Sequence, residues 1–144
     1  MGDLWLEIPK IGAEMNIVGV PFQSNTWDVT WLGDDAGWLE GTAYPTRAGN
    51  TTITGHVWDA YNHPGPFSNL NQLSWGDEVI VHTIGAEYVY AIRSIQAVNP
   101  GNTSLITKHE EYSWITLITC QNYNPATGEY DKRLVVRAVL VEVR

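Results

Sequence analysis

The chain has 144 residues, of which 44% are hydrophobic, and its 16 Asp and Glu against 8 Lys and Arg give a net charge of −8. This length and apolar content indicate a folded domain with its own core and exclude a disordered chain. The acidic balance argues against a nucleic-acid surface, and the single cysteine, Cys120, excludes an internal disulfide and a cysteine-based zinc site.

Short β-rich runs bounded by Gly, Pro, Asn and Asp predict an all-β domain. Two stretches, Asp34–Gly41 and Pro66–Leu73, are predicted as short helices, the second capped by Ser68 or Asn69. The predicted strands are, in chain order, Leu4–Ile8, Met15–Val20, Thr51–Thr54, Glu78–Thr83, Tyr88–Val98, Ser113–Cys120 and Arg133–Val143.

The chain shows no internal repeat and no linker, so residues 1–144 are predicted to form a single domain. No apolar run approaches the roughly 18 residues of a membrane span. No signal peptide opens the chain, and any native N-terminal membrane anchor is expected to be absent from it.

The only cysteine lies in the segment "WITLITCQNYNPATGEYDKRLVV", residues 114–136, which predicts a strand, a turn-rich loop and a second strand. Side chains two apart share a strand face, so Cys120 shares a face with Ile118, and Arg133 shares one with Val135. The loop between the strands allows them to be neighbours. Cys120 and Arg133 would then face each other at one end of the sheet.

A thiol beside a guanidinium suits acyl transfer. The thiolate is the nucleophile and nearby positive charge favours it, while the Arg supplies donors for an oxyanion. A proton donor for the leaving amine is still required, and histidine suits that role.

Four histidines compete for this role. His56 ends a short strand and heads a loop, which favours it because catalytic groups sit at the ends of rigid strands. His63 lies within the loop, His82 is expected to face solvent from a strand, and His109 lies in the charged run "TKHEEY". The opposing interpretation is a β domain in which Cys120 is an inert core residue.

These residues carry a resemblance to the sortase family. The match comprises "TLITC" at 116–120, Arg133 thirteen residues later, and "TGH" at 54–56. It extends to "FSNLNQLSWGDEVIV" at 67–81 and to the opening "LEIPKIG" at 6–12, and so covers nearly the whole chain.

The resemblance implies a closed eight-stranded β-barrel with one or two short helices. It implies a cysteine transpeptidase at the outer face of the cell membrane, which cuts a C-terminal sorting motif of the Leu-Pro-x-Thr-Gly type after Thr. The acyl group then passes through a thioester to an amine of a cell-wall precursor or a pilin subunit. Cys120 would be the nucleophile, His56 the general acid/base and Arg133 the oxyanion or substrate-orienting group.

The resemblance also implies a substrate groove, with contacts from four residues on the strand faces that carry the catalytic groups: Thr54, Thr116, Ile118 and Val135. Trp58 and Tyr61 either wall this groove or pack the loop that contains them.

No cofactor and no metal is expected, because Glu110 and Glu111 are too few for a hard-cation site. The expected partners are proteins with a sorting signal and the amine acceptor, with no nucleic acid, and a membrane only through an anchor absent here. Two alternatives stay open: a cysteine endopeptidase that releases its product to water, and a non-catalytic β-barrel adhesin or sugar-binding module.

Overall fold

The structure is a computed structural model that describes residues 1–57, 63–99, 101–119, 122–124 and 129–144. For 122–124 and 129–131 it describes the backbone alone. Cys120, Trp58 and Tyr61 lie outside the described residues.

The strands of the described residues are β1 Trp5–Ile8, β2 Ala13–Val20, β3 Phe22–Gln23, β4 Thr26–Trp27, β5 Ala36–Leu39, β6 Gly49–Gly55, β7 Glu78–Thr83, β8 Ala86–Val98, β9 Ser113–Thr119, β10 Asn122–Asn124, β11 Glu129–Asp131 and β12 Arg133–Val143. Eight of them close into a barrel in the order β1-β2-β5-β6-β9-β12-β8-β7, which confirms the predicted fold. Two further pairs, β3 with β4 and β10 with β11, form small separate sheets.

The described residues contain two short 3-10 helices, Pro9–Ile11 and Leu70–Gln72. The second replaces the longer helix predicted over Pro66–Leu73, and Asn69 occupies its N-cap position without a side-chain capping hydrogen bond. None of the helices in the described part of the chain is long and apolar enough to cross a membrane.

The helix predicted over Asp34–Gly41 is wrong, because this stretch contains β5. β5 runs parallel to β2 and antiparallel to β6 and so completes the barrel wall. A Cβ at Gly37 would come within 2.7 Å of Val20 and 2.9 Å of Leu32. The glycine that weakens a strand signal is therefore required by close packing against its neighbours.

Alternation along the strands separates two apolar clusters on opposite sides of the barrel wall. The inner cluster fills the barrel and includes Ile53, Leu117 and Val136. We call the second the outer cluster; it lies outside the wall and consists of Val20, Leu32, Leu39, Ile106, Ile118 and Val135. Leu32 and Ile106 come from the connections β4–β5 and β8–β9, so these connections lie over the outer face of the barrel.

Candidate active site

Three adjacent strands lead to the positions of the predicted catalytic residues. β6 pairs in parallel with β9, and its last pair joins Gly55 to Thr119. His56 and Cys120 are the next residues along these two strands. β12 pairs antiparallel with the other edge of β9, and Val135 of β12 lies opposite Ile118 of β9. Arg133 comes two residues before Val135 in the chain, and Cys120 comes two residues after Ile118. The register of three strands thus converges on one end of the barrel.

His56 is partly buried and its ring is held by a backbone group. Its Nε2 lies 3.0 Å from the carbonyl oxygen of Val29. A carbonyl oxygen accepts only, so the hydrogen bond requires the proton on Nε2 and leaves Nδ1 to exchange protons.

The backbone of His56 is fixed as well. Its carbonyl accepts a hydrogen bond from the Phe67 N–H at 3.0 Å, and the Gly65 N–H donates to the Val57 carbonyl at 2.8 Å. A Cβ at Gly65 would overlap the His56 carbonyl oxygen and lie 2.9 Å from the His56 Cβ. Only glycine allows the chain to return this closely behind the histidine.

Val29 belongs to residues 28–32, which we call the strap. The Asp28 carboxylate accepts hydrogen bonds from the Thr30 hydroxyl at 2.6 Å and the Thr30 N–H at 3.1 Å. The hydroxyl, and to a smaller extent the N–H, lowers the pKa of Asp28 because both favour the ionised form. At the other end of the strap Leu32 is buried in the outer cluster. The local turn and the buried leucine together hold the Val29 carbonyl against His56.

Arg133 begins β12 and pairs with Val98 of β8. Its side chain is partly exposed, yet its Nε is buried and has no hydrogen-bond partner among the described residues. Next to it the Leu134 N–H donates to the Thr119 hydroxyl at 3.0 Å. A buried guanidinium donor without a partner is rare in folded proteins, and each such group requires an explanation.

The four predicted groove residues share the outer face with His56 and Arg133. Thr54, Thr116, Ile118 and Val135 are all buried, each at most 3% exposed. The Thr54 hydroxyl donates to the Ile118 carbonyl at 2.8 Å. Ile118 and Val135 belong to the outer cluster and are therefore packed with residues of the two covering connections.

The other histidines lie elsewhere. His63 and His109 are exposed. The expectation that His82 faces solvent is wrong: its side chain is 12% exposed, is stacked on Trp5 at 3.7 Å and lies 2.7 Å from a Glu7 carboxylate oxygen. β1 and β7 are neighbours, which brings these groups together from distant parts of the sequence.

The sequence pattern missed the strap, because the group that contacts His56 is a backbone carbonyl and leaves no trace in residue type. Strand alternation does place Arg137 on the same face as Arg133, but it gives no sign that the Arg137 side chain is buried. No cluster of three or more potential metal ligands occurs within the described residues.

A family model described as "Sortase domain" matches residues 6–141. The chain belongs to the sortase family. Among curated relatives of this sortase domain, Sortase D of Bacillus subtilis is 28% identical over 131 residues, covering 91% of this chain and 60% of the relative. Sortase SrtE1 of Streptomyces coelicolor is 31% identical over 148 residues, covering 96% and 40%. The chain thus spans less than two thirds of the length of these relatives.

Solved sortase structures share the fold. A Clostridium perfringens Sortase D5 transpeptidase superposes with a TM-score of 0.76 at 27% identity, covering 98% of this chain and 79% of that one. Sortase C-1 from Actinomyces oris gives 0.77 at 29% identity, covering 96% and 73%.

Proposed function

We propose that this sortase domain is a cysteine transpeptidase. It would cleave a sorting motif of the Leu-Pro-x-Thr-Gly type after Thr and pass the acyl group to an amine. The observation that carries the proposal is the register of β6, β9 and β12. The pair Gly55–Thr119 comes directly before His56 and Cys120, and the pair Val135–Ile118 lies two residues from Arg133 and from Cys120.

Cys120 is the proposed nucleophile. Its thiolate attacks the carbonyl carbon of the scissile Thr-Gly bond, and the resulting oxyanion accepts hydrogen bonds from Arg133. The buried Nε of Arg133, which has no partner in the described chain, supports this role. Arg133 would then stabilise the oxyanion of the transition state more strongly than it binds the planar carbonyl of the substrate, which is what accelerates the reaction.

His56 is the proposed general acid and base. Collapse of the tetrahedral intermediate breaks the C–N bond, and His56 gives its proton to the departing glycine amine while Cys120 holds the acyl group as a thioester. The acceptor amine then attacks this thioester, His56 takes up the amine proton, and the thiolate leaves. The contact between Nε2 and Val29 supports Nδ1 as the atom that exchanges the proton.

The peptide is proposed to bind along the outer face that carries Thr54, Thr116, Ile118 and Val135. Because Leu32 and Ile106 cover this face, a peptide binds either against the two covering segments or after they have moved aside. The acceptor would be an amine of a cell-wall precursor or a pilin subunit at the cell surface. One similar structure is a pilus-related Sortase C of Group B Streptococcus, 27% identical.

The test is cleavage of a pentapeptide library based on Leu-Pro-x-Thr-Gly, with and without triglycine, followed by mass spectrometry. We expect cleavage after Thr and an acyl-triglycine product, and no product from Cys120→Ala. Cleavage by Cys120→Ala would exclude the cysteine mechanism. Hydrolysis alone, with no triglycine adduct at any concentration, would identify an endopeptidase instead.

A further inference from the structure

Arg137 is an almost completely buried charge on the outer face of β12. It is 4% exposed, although arginine is rarely buried without compensation. Its NH2 group donates to a Glu110 carboxylate oxygen at 2.7 Å, and its Nε donates to the Thr116 hydroxyl at 3.2 Å. The guanidinium carbon also lies 4.7 Å from the ring centre of Trp114. Three different groups thus fix one side chain.

The contacts of Arg137 continue into a buried polar network. The Thr116 hydroxyl, which accepts from Arg137, donates to the Asn50 Oδ1 at 2.6 Å. The Asn50 amide nitrogen in turn donates to the Leu105 carbonyl at 2.9 Å. Nearby, the Thr52 hydroxyl donates to the Ile106 carbonyl at 2.8 Å. Side chains of β6, β9 and β12 therefore hold both ends of residues 105–110, which we call the anchored segment.

The anchored segment connects this network to the candidate active site. Ile106 is buried in the outer cluster together with Leu32 of the strap, Ile118 and Val135. The strap carries the Val29 carbonyl that contacts His56. Arg137 is therefore linked through packed side chains to the wall over the predicted peptide groove. It pairs with Thr116 in the middle of β9, three residues before Thr119, the residue that precedes Cys120.

We propose that Arg137 is a positioning residue that holds the anchored segment in place and thereby sets the shape of the peptide groove. The inference rests on the proposed function and extends it to the determinants of peptide affinity. Arginine suits the role because its planar fork donates in two directions while its face lies over an indole. A lysine is a point donor and cannot make all three contacts at once.

The first test measures release of the anchored segment without reference to activity. Trypsin cleaves after Lys108, the only Lys or Arg in residues 99–112, and its side chain is half exposed. We expect Arg137→Lys and Arg137→Met to be cut at Lys108 at least about tenfold faster than the wild-type chain, because buried partners lose a charged hydrogen bond. If the single variants fail to fold, the double variant Arg137→Met with Glu110→Gln leaves no buried charge unpaired. Because Glu110 also pairs with Lys108 at 3.7 Å, cleavage of this double variant is compared with cleavage of Glu110→Gln alone.

Arg93 offers a matched control. It lies on β8, its guanidinium carbon is 4.4 Å from the ring centre of Trp75, and its NH1 donates to the neighbouring Ile92 carbonyl. Arg93→Met removes the same kind of arginine–indole contact away from the anchored segment. We expect cleavage after Lys108 to stay at the wild-type rate in this control. Unchanged cleavage in folded Arg137 variants, or equal acceleration in Arg93→Met, would overturn the proposal.

The second test separates binding from chemistry with the best peptide from the library. We expect Arg137→Lys to raise KM about tenfold and to change kcat by less than about twofold, as for a lost contribution to binding. Faster cleavage at Lys108 with unchanged KM would reject the positioning role. If the wild-type chain transfers no peptide, the proposed function and the groove role both fail, whereas trypsin still decides whether Arg137 anchors the segment.

Discussion

At the scale of single residues, the contact between His56 and Val29 defines the proposed acid/base. The ring is held through Nε2 by a main-chain carbonyl, which no side-chain substitution in the strap removes directly. An orienting hydrogen bond of this kind fixes both tautomer and ring direction, as carboxylates do in other catalytic histidines.

The assignment of His56 predicts a large and specific loss of activity. His56→Ala should lower kcat/KM by about 10²–10⁴-fold, the usual contribution of a positioned general acid and base. His63→Ala is the matched control, and it should keep close to wild-type activity because His63 is exposed in the connecting loop. Both variants would be assayed with the same peptide and triglycine. Loss of activity in His63→Ala with retention in His56→Ala would reverse the assignment.

At this scale, strand alternation predicts which side chains of β9 and β12 share a face. The shared outer face of Ile118 and Val135 follows from a period of two, and the structure places both in the outer cluster. The proposed roles of Cys120, His56 and Arg133 depended on the family resemblance. Arg137 could not be recognised as buried, because its partner Glu110 comes from a connection 27 residues earlier in the chain.

At the scale of elements, the return of residues 63–67 behind His56 is as important for the position of His56 as the strands are. Gly65 allows this return, and the turn contributes hydrogen bonds to the backbone of His56 and Val57. The Pro-Gly pair at 64–65 is typical of a turn, but the pair gives no sign that the glycine faces the candidate base. The helix wrongly predicted over Asp34–Gly41 has a similar cause, since Gly37 is required by contacts with Val20 and Leu32 and not by local preference.

Gly65→Ala should displace His56. The new methyl group meets the His56 carbonyl, so we expect a loss of about 1–3 kcal/mol in the free energy of unfolding, typical of overpacking. Activity should fall even in the fraction that is folded, because the histidine moves with its backbone. Chemical denaturation and peptide transfer would be measured together.

The matched control is Gly101→Ala. An added Cβ there meets nothing within 4 Å. This variant should retain the stability and activity of the wild-type chain. Wild-type behaviour of Gly65→Ala would show that the close approach behind His56 has no role in placing the ring.

At the scale of the whole molecule, a buried tyrosine ties the barrel together across its interior. Tyr90 of β8 is fully buried, and its hydroxyl lies 3.0 Å from the hydroxyl of Ser113 at the start of β9. These two strands lie on either side of β12 in the barrel order. Burial raises the pKa of Tyr90 above its ordinary value of 10.0, against a smaller opposing effect of the hydrogen bond to Ser113.

Tyr90→Phe should destabilise the barrel at neutral pH by about 1–3 kcal/mol, because Ser113 loses its buried partner. Because the pKa of Tyr90 is raised in the folded state, its contribution to the free energy of unfolding is fully present below pH 10.0. This contribution is lost as pH rises through the folded-state pKa. The difference between wild type and Tyr90→Phe should therefore shrink above about pH 10. Urea denaturation at pH 7 and 10.5 would test this, with the exposed Tyr112→Phe as a control. A difference that grows with pH would contradict it.

The parallel pairing of β6 with β9 has a consequence for how activity arises during folding. Thr54 and Ile118, neighbours in this pair, are separated by 64 residues along the chain. Hairpins such as β7–β8 join nearby segments and form with little loss of chain entropy, whereas parallel strands must close a long loop. A chain with all its hairpins formed still keeps the proposed histidine and cysteine far apart. The proposed activity would therefore appear no earlier than the slow, long-range step, and its recovery would report complete refolding where recovered strand content would not.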